Sequence, residues 1–311
     1  MLPARHVKAA IPRDAAATGV ELGISFPFPD GPPPCLADAA PPAFHGAAPS
    51  RAYVGSETCD RLLPSARDLG KWVSATAAAG WGMTLVLPPL PAEAQSHALE
   101  RVASLSGVPG AEVVANDWGT VHLARRRFPG LPVALGRLTH KVLRDPRVAG
   151  YFDSPDAPPA ARAALCRSGE LSPGFRTLME RYGIRRREVD PYLQPLAKEE
   201  WGGRPERLTV HLPYLFVTMG RSCLPGAMHQ ENPERFLAGG PCRMECRRHA
   251  IEFLLPDPGG NGGGKRLLAL GNGFYHAAPP PVVERILALL PSHPQVDRIV
   301  LSRLLPGDAP W

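Results

Sequence analysis

From residue 51 onward, short apolar runs rich in valine, leucine and isoleucine alternate with stretches of helical periodicity. The pattern predicts strands near 52–54, 83–88, 111–116, 132–136, 184–189, 208–216, 266–270 and 298–302. Helices are predicted between many of them, over Pro64–Ala79, Ala92–Leu105, Trp118–Arg127, Gly174–Tyr182 and Val282–Leu290. Strands separated by helices pair in parallel through crossover connections. Eight such units predict an α/β fold, a distorted TIM-barrel-like (β/α)8 domain over residues 51–311.

Residues 1–50 read differently. They are rich in alanine and proline, as in DAAATG and FPDGPPP, and proline interrupts both ladders and helix interiors. An irregular N-terminal arm is expected there, with Val20–Ile24 its one strand-like run. The hydrophobic share of 44% is enough for a core and excludes wholesale disorder. No apolar run approaches the roughly 18 residues of a membrane span. The first residues lack the apolar run of an export signal, so a cytoplasmic location is expected. The net charge of +6 favours anionic partners. The cations are scattered, as in RRRF and RRRE, so nucleic acid is not indicated.

A barrel of this kind carries its active site at the C-terminal ends of its strands. Those ends hold Glu57, Thr58 and Cys59, then Asn116 and Asp117, Gly136 and Arg137, Asp190, Arg221 to Cys223, and Asn272. Three of the six cysteines, Cys223, Cys242 and Cys246, follow one another closely. The C-x3-C spacing would set two thiolates on one face of a helical turn. Cys59 is the candidate fourth ligand, because the first and sixth strands deliver their ends to the same face. Soft thiolates select an iron–sulfur cluster or zinc. A third reading makes these ordinary core cysteines, although the flanks Arg221-Ser222 and Arg243-Met244-Glu245 are polar. Cys35 and Cys166 fall outside the ligand set.

Asn116, Asp117 and Arg137 are the catalytic candidates. Asp117 would orient substrate or a base, or else cap the helix that follows. The Arg137 guanidinium would clamp a carboxylate, while Arg144 and Asp145 read as a surface ion pair. His211, His229 and His249 surround the cysteine segment, and His249 is the nearest candidate to hydrogen-bond a metal site. The GGNGGGK run at Gly259–Lys265 lacks the Ser or Thr of a phosphate loop and reads as a turn between Ile251–Leu255 and Leu267–Leu270. Neither G-x-S-x-G nor H-E-x-x-H occurs.

The segment AYVGSETCDRLLPSARDLGKWVSATAAAGWGMTLVLP, with the later Cys223, Cys242 and Cys246, resembles the UbiV-like members of peptidase family U32, the collagenase-like peptidases. The resemblance implies a TIM-barrel-like fold and a 4Fe–4S cluster held by Cys59, Cys223, Cys242 and Cys246. It implies a part in oxygen-independent hydroxylation of a ubiquinone precursor, with prephenate as oxygen donor. The expected partner is a related U32-family subunit of the UbiU type, in a heterodimer. Peptidase activity is the family's other implied function. The rival reading is a non-catalytic binding protein stabilised by zinc or a cluster.

Overall fold

A computed structural model of the chain describes residues 19–36, 48–145, 156–169, 172–190, 206–256 and 265–303. The strands are Glu21–Phe26 (β1), Pro49–Val54 (β2), Gly82–Leu87 (β3), Ala111–Ala115 (β4), Val133–Leu135 (β5), Arg186–Val189 (β6), Arg207–Leu212 (β7), Tyr214–Met219 (β8), Ile251–Leu255 (β9), Lys265–Leu270 (β10), Gly273–Ala277 (β11) and Val296–Leu301 (β12). The helices are Ala66–Ala79 (α1), Gln95–Ala103 (α2), Trp118–Arg127 (α3), Pro159–Cys166 (α4), Pro173–Arg181 (α5), Leu224–Ala227 (α6) and Pro280–Leu289 (α7).

Eight strands close a parallel barrel in the order β1-β2-β3-β4-β5-β6-β7-β12. The expected TIM-barrel-like architecture is therefore present. Parallel strands covered on both faces are buried nearly throughout, and every residue of β4 is buried. Outside the barrel, Leu69 and Trp72 of α1, Val102 of α2, Val121 of α3 and Met179 of α5 pack on Val54, Leu85, Val113 and Leu135. On the other side, Val283, Ile286 and Leu287 of α7 pack on Leu22, Val210, Leu212 and Ile299. The helices begin where the sequence supplies caps. Ser65 accepts from Asp68 N at the start of α1, and Gly80, with φ of 67°, ends it.

Three expectations about the strands change. The run at Val20–Ile24 belongs to β1, a full barrel strand that pairs with β2 and β12, although it lies in the segment read as an arm. The stretch 208–216 is two strands, because Pro213 has no N–H with which to continue the ladder. The strand at 266–270 leaves the barrel. It joins a second, antiparallel sheet of order β8-β11-β10-β9. This sheet is inserted between β7 and α7. Residues Gly259–Gly264 of the GGNGGGK run lie outside the described residues, between β9 and β10, which pair antiparallel.

The barrel interior is charged at its N-terminal end. Arg298 donates from Nε to Glu21 (2.6 Å) and from Nη1 to Tyr53 Oη (2.8 Å), and it pairs with Glu112. Arg51 donates to Glu21 (2.6 Å), and Thr84 to Glu112 (2.8 Å). Burial would push the Glu112 carboxyl up, but Arg298 and Arg51 outweigh it and hold the carboxyl below its usual range. Above this ring sit Tyr53, Val86, Val114, Ala134 and Val300.

Candidate functional site

The C-terminal mouth of the barrel faces the inserted sheet and the loop that links β8 to β9. The turn after β2 starts at Gly55, whose φ of 112° and close approach to Val86 O leave no room for a side chain. Ser56 Oγ then accepts from Thr58 N (3.3 Å) and Cys59 N (3.2 Å), which bends the chain and sets Cys59. The tight turn between β10 and β11 lies against it. A Cβ on Gly271 would sit 3.6 Å from Cys59 Cβ.

Cys223, Cys242 and Cys246 come from the loop between β8 and β9. Cys223 caps α6, and its Sγ accepts from Gly226 N at 3.3 Å. Cys242 Sγ accepts from Met244 N at 3.4 Å. Cys242 and Cys246 do not share a helical turn as their spacing suggested. Met244 stands between them in the left-handed region, with φ of 59°, and a single 3-10 turn, Glu245–Arg247, follows. The four cysteines nonetheless come together. A methyl on Gly226 would touch both Cys223 Sγ (3.3 Å) and Cys242 Sγ (3.7 Å). Cys59 and Cys246 are buried in one apolar cluster with Leu62, Leu138, Phe216, Leu270 and Tyr275.

The thiols also affect one another's ionisation. Burial pushes Cys59 up to about 12, and Asp60, Cys223 and Cys246 add to the rise. Burial likewise pushes Cys246 up to about 12, reinforced by Cys223 and Cys242. Cys223 is raised by burial and by Cys242. Among the described residues, no group of three or more His, Cys, Asp or Glu side chains closes tightly enough to hold a metal ion. Cys35 is exposed. The Cys166 side chain lies outside what is described.

The catalytic candidates are occupied in structural roles. Asn116 Nδ2 donates to Leu87 O (2.9 Å), and its Oδ1 accepts from Leu138 N (3.2 Å). Gly136 makes space for it, since a methyl there would overlap the Asn116 amide. Asp117 caps α3, accepting from Thr120 N (2.8 Å), Thr120 Oγ1 (2.6 Å) and Leu90 N (3.3 Å). Arg137 is not a free clamp. Nε and Nη2 donate to the two oxygens of Glu57 (2.7 and 2.5 Å), and Nη1 donates to Asp190 (2.9 Å) and Tyr214 O (2.7 Å). Four of its hydrogen bonds are thus made within the chain, and its side chain is 1% exposed.

Arg144 is no surface residue either. It is buried, pairs with Asp190 (2.5 Å), and donates to Phe216 O (2.8 Å) and Arg137 O (2.8 Å). Burial would raise Asp190, but Arg137 and Arg144 overcome it and keep the carboxyl ionised below its usual range. Burial would lower Arg137, but Asp190 and Glu57 overcome that and hold it cationic. This network fastens β8 to the barrel mouth through two carbonyls and anchors Glu57, two residues before Cys59. Tyr275 stacks under it, with the Arg137 guanidinium 5.5 Å from its ring centre. Sequence reasoning missed Tyr275, because only the inserted sheet brings β11 over the mouth.

Of the histidines, His249 is exposed and His211 lies inside the barrel, 3.1 Å from Glu188. His229 is the one joined to the cysteine lobe, pairing with Glu245 at 2.6 Å. Asn272 donates to Gly220 O (3.1 Å), which ties the β10–β11 turn to the end of β8.

Fold and site together define an α/β-barrel protein with a four-cysteine group at the mouth, beneath an inserted antiparallel sheet. No family model and no curated protein matches the chain. No helix among the described residues is long and apolar enough to cross a membrane.

Proposed function

We propose that the chain is an iron–sulfur protein in which Cys59, Cys223, Cys242 and Cys246 hold a 4Fe–4S cluster. The observation that carries this is the convergence of four cysteines, up to 187 positions apart, at the end of the barrel where this fold keeps its chemistry. The donor set fits. Two of the four soft thiols, Cys59 and Cys246, sit in an apolar cluster, the sulfurs of Cys223 and Cys242 receive backbone N–H groups, and Arg61 and Arg247 bring positive charge to Cys223 and Cys246. Zinc would need all four sulfurs about 2.3 Å from one point. A 4Fe–4S cluster would take four cysteine thiolates, the number that these loops bring together.

A bound cluster with four thiolate ligands supplies one-electron transfer and leaves no iron open to substrate. The chain's own residues do the rest. The Glu57–Arg137–Asp190–Arg144 network fixes the Cys59 turn and the inserted sheet, and the apolar cluster around Cys59 and Cys246 keeps water away. The reaction served is taken from the resemblance to UbiV-like members of peptidase family U32: oxygen-independent hydroxylation, in a heterodimer with a related subunit. Binding of a dicarboxylate such as prephenate would fall to groups other than Arg137, which is committed to Glu57 and Asp190.

Anaerobic purification followed by iron, sulfide and zinc analysis tests the proposal. About four irons and four sulfides per chain, with a broad visible band bleached by dithionite, is the expected result. One zinc and no sulfide would overturn it in favour of a structural site.

A further inference from the structure

The cysteine group is asymmetric. Cys59 and Cys246 are buried, whereas Cys223 and Cys242 are partly exposed. Whatever the four thiols hold comes nearest to solvent on the side of the loop that links β8 to β9. That loop is held by Gln230 Nε2, which donates to Pro241 O within it (2.6 Å), and by Arg61 of the turn after β2, which donates to Gly239 O (2.8 Å).

Two kinds of side chain mark its outer surface. Met228 and Leu237 are 57% and 60% exposed, two of the four exposed large apolar side chains among the described residues. On the same loop Arg221, Arg235, Arg243 and Arg248 are exposed, as is Arg61, which reaches the loop at Gly239 O. None of the five guanidinium groups has a carboxylate partner among the described residues, although the backbone N of Arg243 donates to Glu245 (3.1 Å). Arg61 and Arg235 donate to carbonyls, which leaves their charge uncompensated. The exposed carboxylates of the same loop are Glu231 and Glu234. Exposed apolar side chains and arginines without a carboxylate partner for their guanidinium, carried on one loop and on the adjoining Arg61, form a surface complementary to an acidic protein.

We propose that this surface docks an acidic one-electron carrier protein, which reduces the group held by the four cysteines from its exposed side. The inference rests on the cluster reading above. The carrier gives up one electron and is oxidised, and the cluster is reduced by one; no bond forms or breaks and no proton has to move. Arginine supplies attraction at a distance and orientation on contact, while Met228 and Leu237 exclude water from the path.

The test uses the anaerobically purified full chain and an acidic ferredoxin-type protein as probe. Its affinity is measured by titration calorimetry, and its reduction of the chain by bleaching of the visible band. The Arg243→Glu/Arg248→Glu variant is compared with Arg126→Glu/Arg127→Glu, which makes the same change in net charge on exposed residues of α3. The expected result is at least about tenfold weaker binding in the first variant alone, with bleaching by dithionite retained. Unmodified chain should lose affinity for the probe as salt rises, and this arm needs no variant to fold. Iron and sulfide analysis of each sample separates the two failures. Absence of a cluster overturns the cluster reading and this proposal together. A loaded cluster with salt-independent binding, or with equal effects of the two variants, overturns this proposal alone. So does self-association that only the Arg243/Arg248 variant abolishes, because the surface would then belong to a second copy.

Discussion

Replacing Arg137 by methionine keeps much of its aliphatic stem but removes every N–H it donates. Glu57 would lose both of its bonds to the guanidinium, and Asp190, fully buried, would keep Arg144 as its remaining cation. Breaking a buried ion pair from one side costs about 3–5 kcal/mol, because the other charge stays behind unpaired. Arg137→Met is expected to lose stability on this scale in denaturant unfolding. It should lose iron as well, since Glu57 no longer fixes the turn that carries Cys59. A substrate clamp would give the opposite signature, with intact stability and iron and weaker binding of a dicarboxylate. The sequence shows an arginine at a strand end, which suits either role. What decides between them is Glu57, 80 positions away, and nothing local in the sequence announces that pair.

At the level of elements, Asp117 is expected to behave as a helix cap. Asp117→Ala should lower stability by about 1 kcal/mol and leave iron content unchanged, measured by thermal unfolding beside iron analysis. A fall in iron or activity without loss of stability would restore a role in the site. Helix α3 was legible to the residue, Trp118–Arg127, because its cap and its periodicity are local. Seven of the eight barrel strands were legible for the same reason. β1 was legible only as an isolated strand-like run at Val20–Ile24 in an arm; its place in the barrel was not, because that depends on its distant partners β2 and β12. The seventh expected strand, 266–270, is real but belongs to the second sheet. Apolar content marks a strand, whereas its sheet depends on the connection, and β10 reaches β11 through a tight turn at Gly271 where a parallel neighbour would need a crossover. Within the site, the cysteines could be read because thiols are rare and their chemistry is narrow. The fastening network could not, because arginine and glutamate are common on any surface.

For the molecule as a whole, stability should depend on pH through His140. Burial first, and then the Arg144 charge, hold its imidazole neutral, well below its ordinary value of 6.5. Asp190 N points at His140 Nδ1 (3.4 Å), which suits the neutral ring. The unfolded chain takes up a proton there near pH 6.5 and the folded chain does not. The unfolded state therefore binds more protons below that pH, and stability falls as pH falls through the window beneath it. Asp190 and Glu112, held ionised below the carboxylate range, add a further loss at lower pH. Melting temperatures between about pH 8 and 5 should decline, and His140→Gln should flatten the slope below 6.5. An unchanged slope would assign it to other groups.

The barrel's seam joins the earliest described strand to the last. Arg298 reaches Glu21 across 277 positions of sequence, and Arg303 N reaches Ser25. Until Val296–Leu301 is in place, β1 and β7 are both open edges, and closing so long a loop is a late, non-local event. During synthesis the ribosome therefore releases all four cysteines before the ring beneath them is shut. The mouth at which they lie takes its final shape only when that last strand is seated.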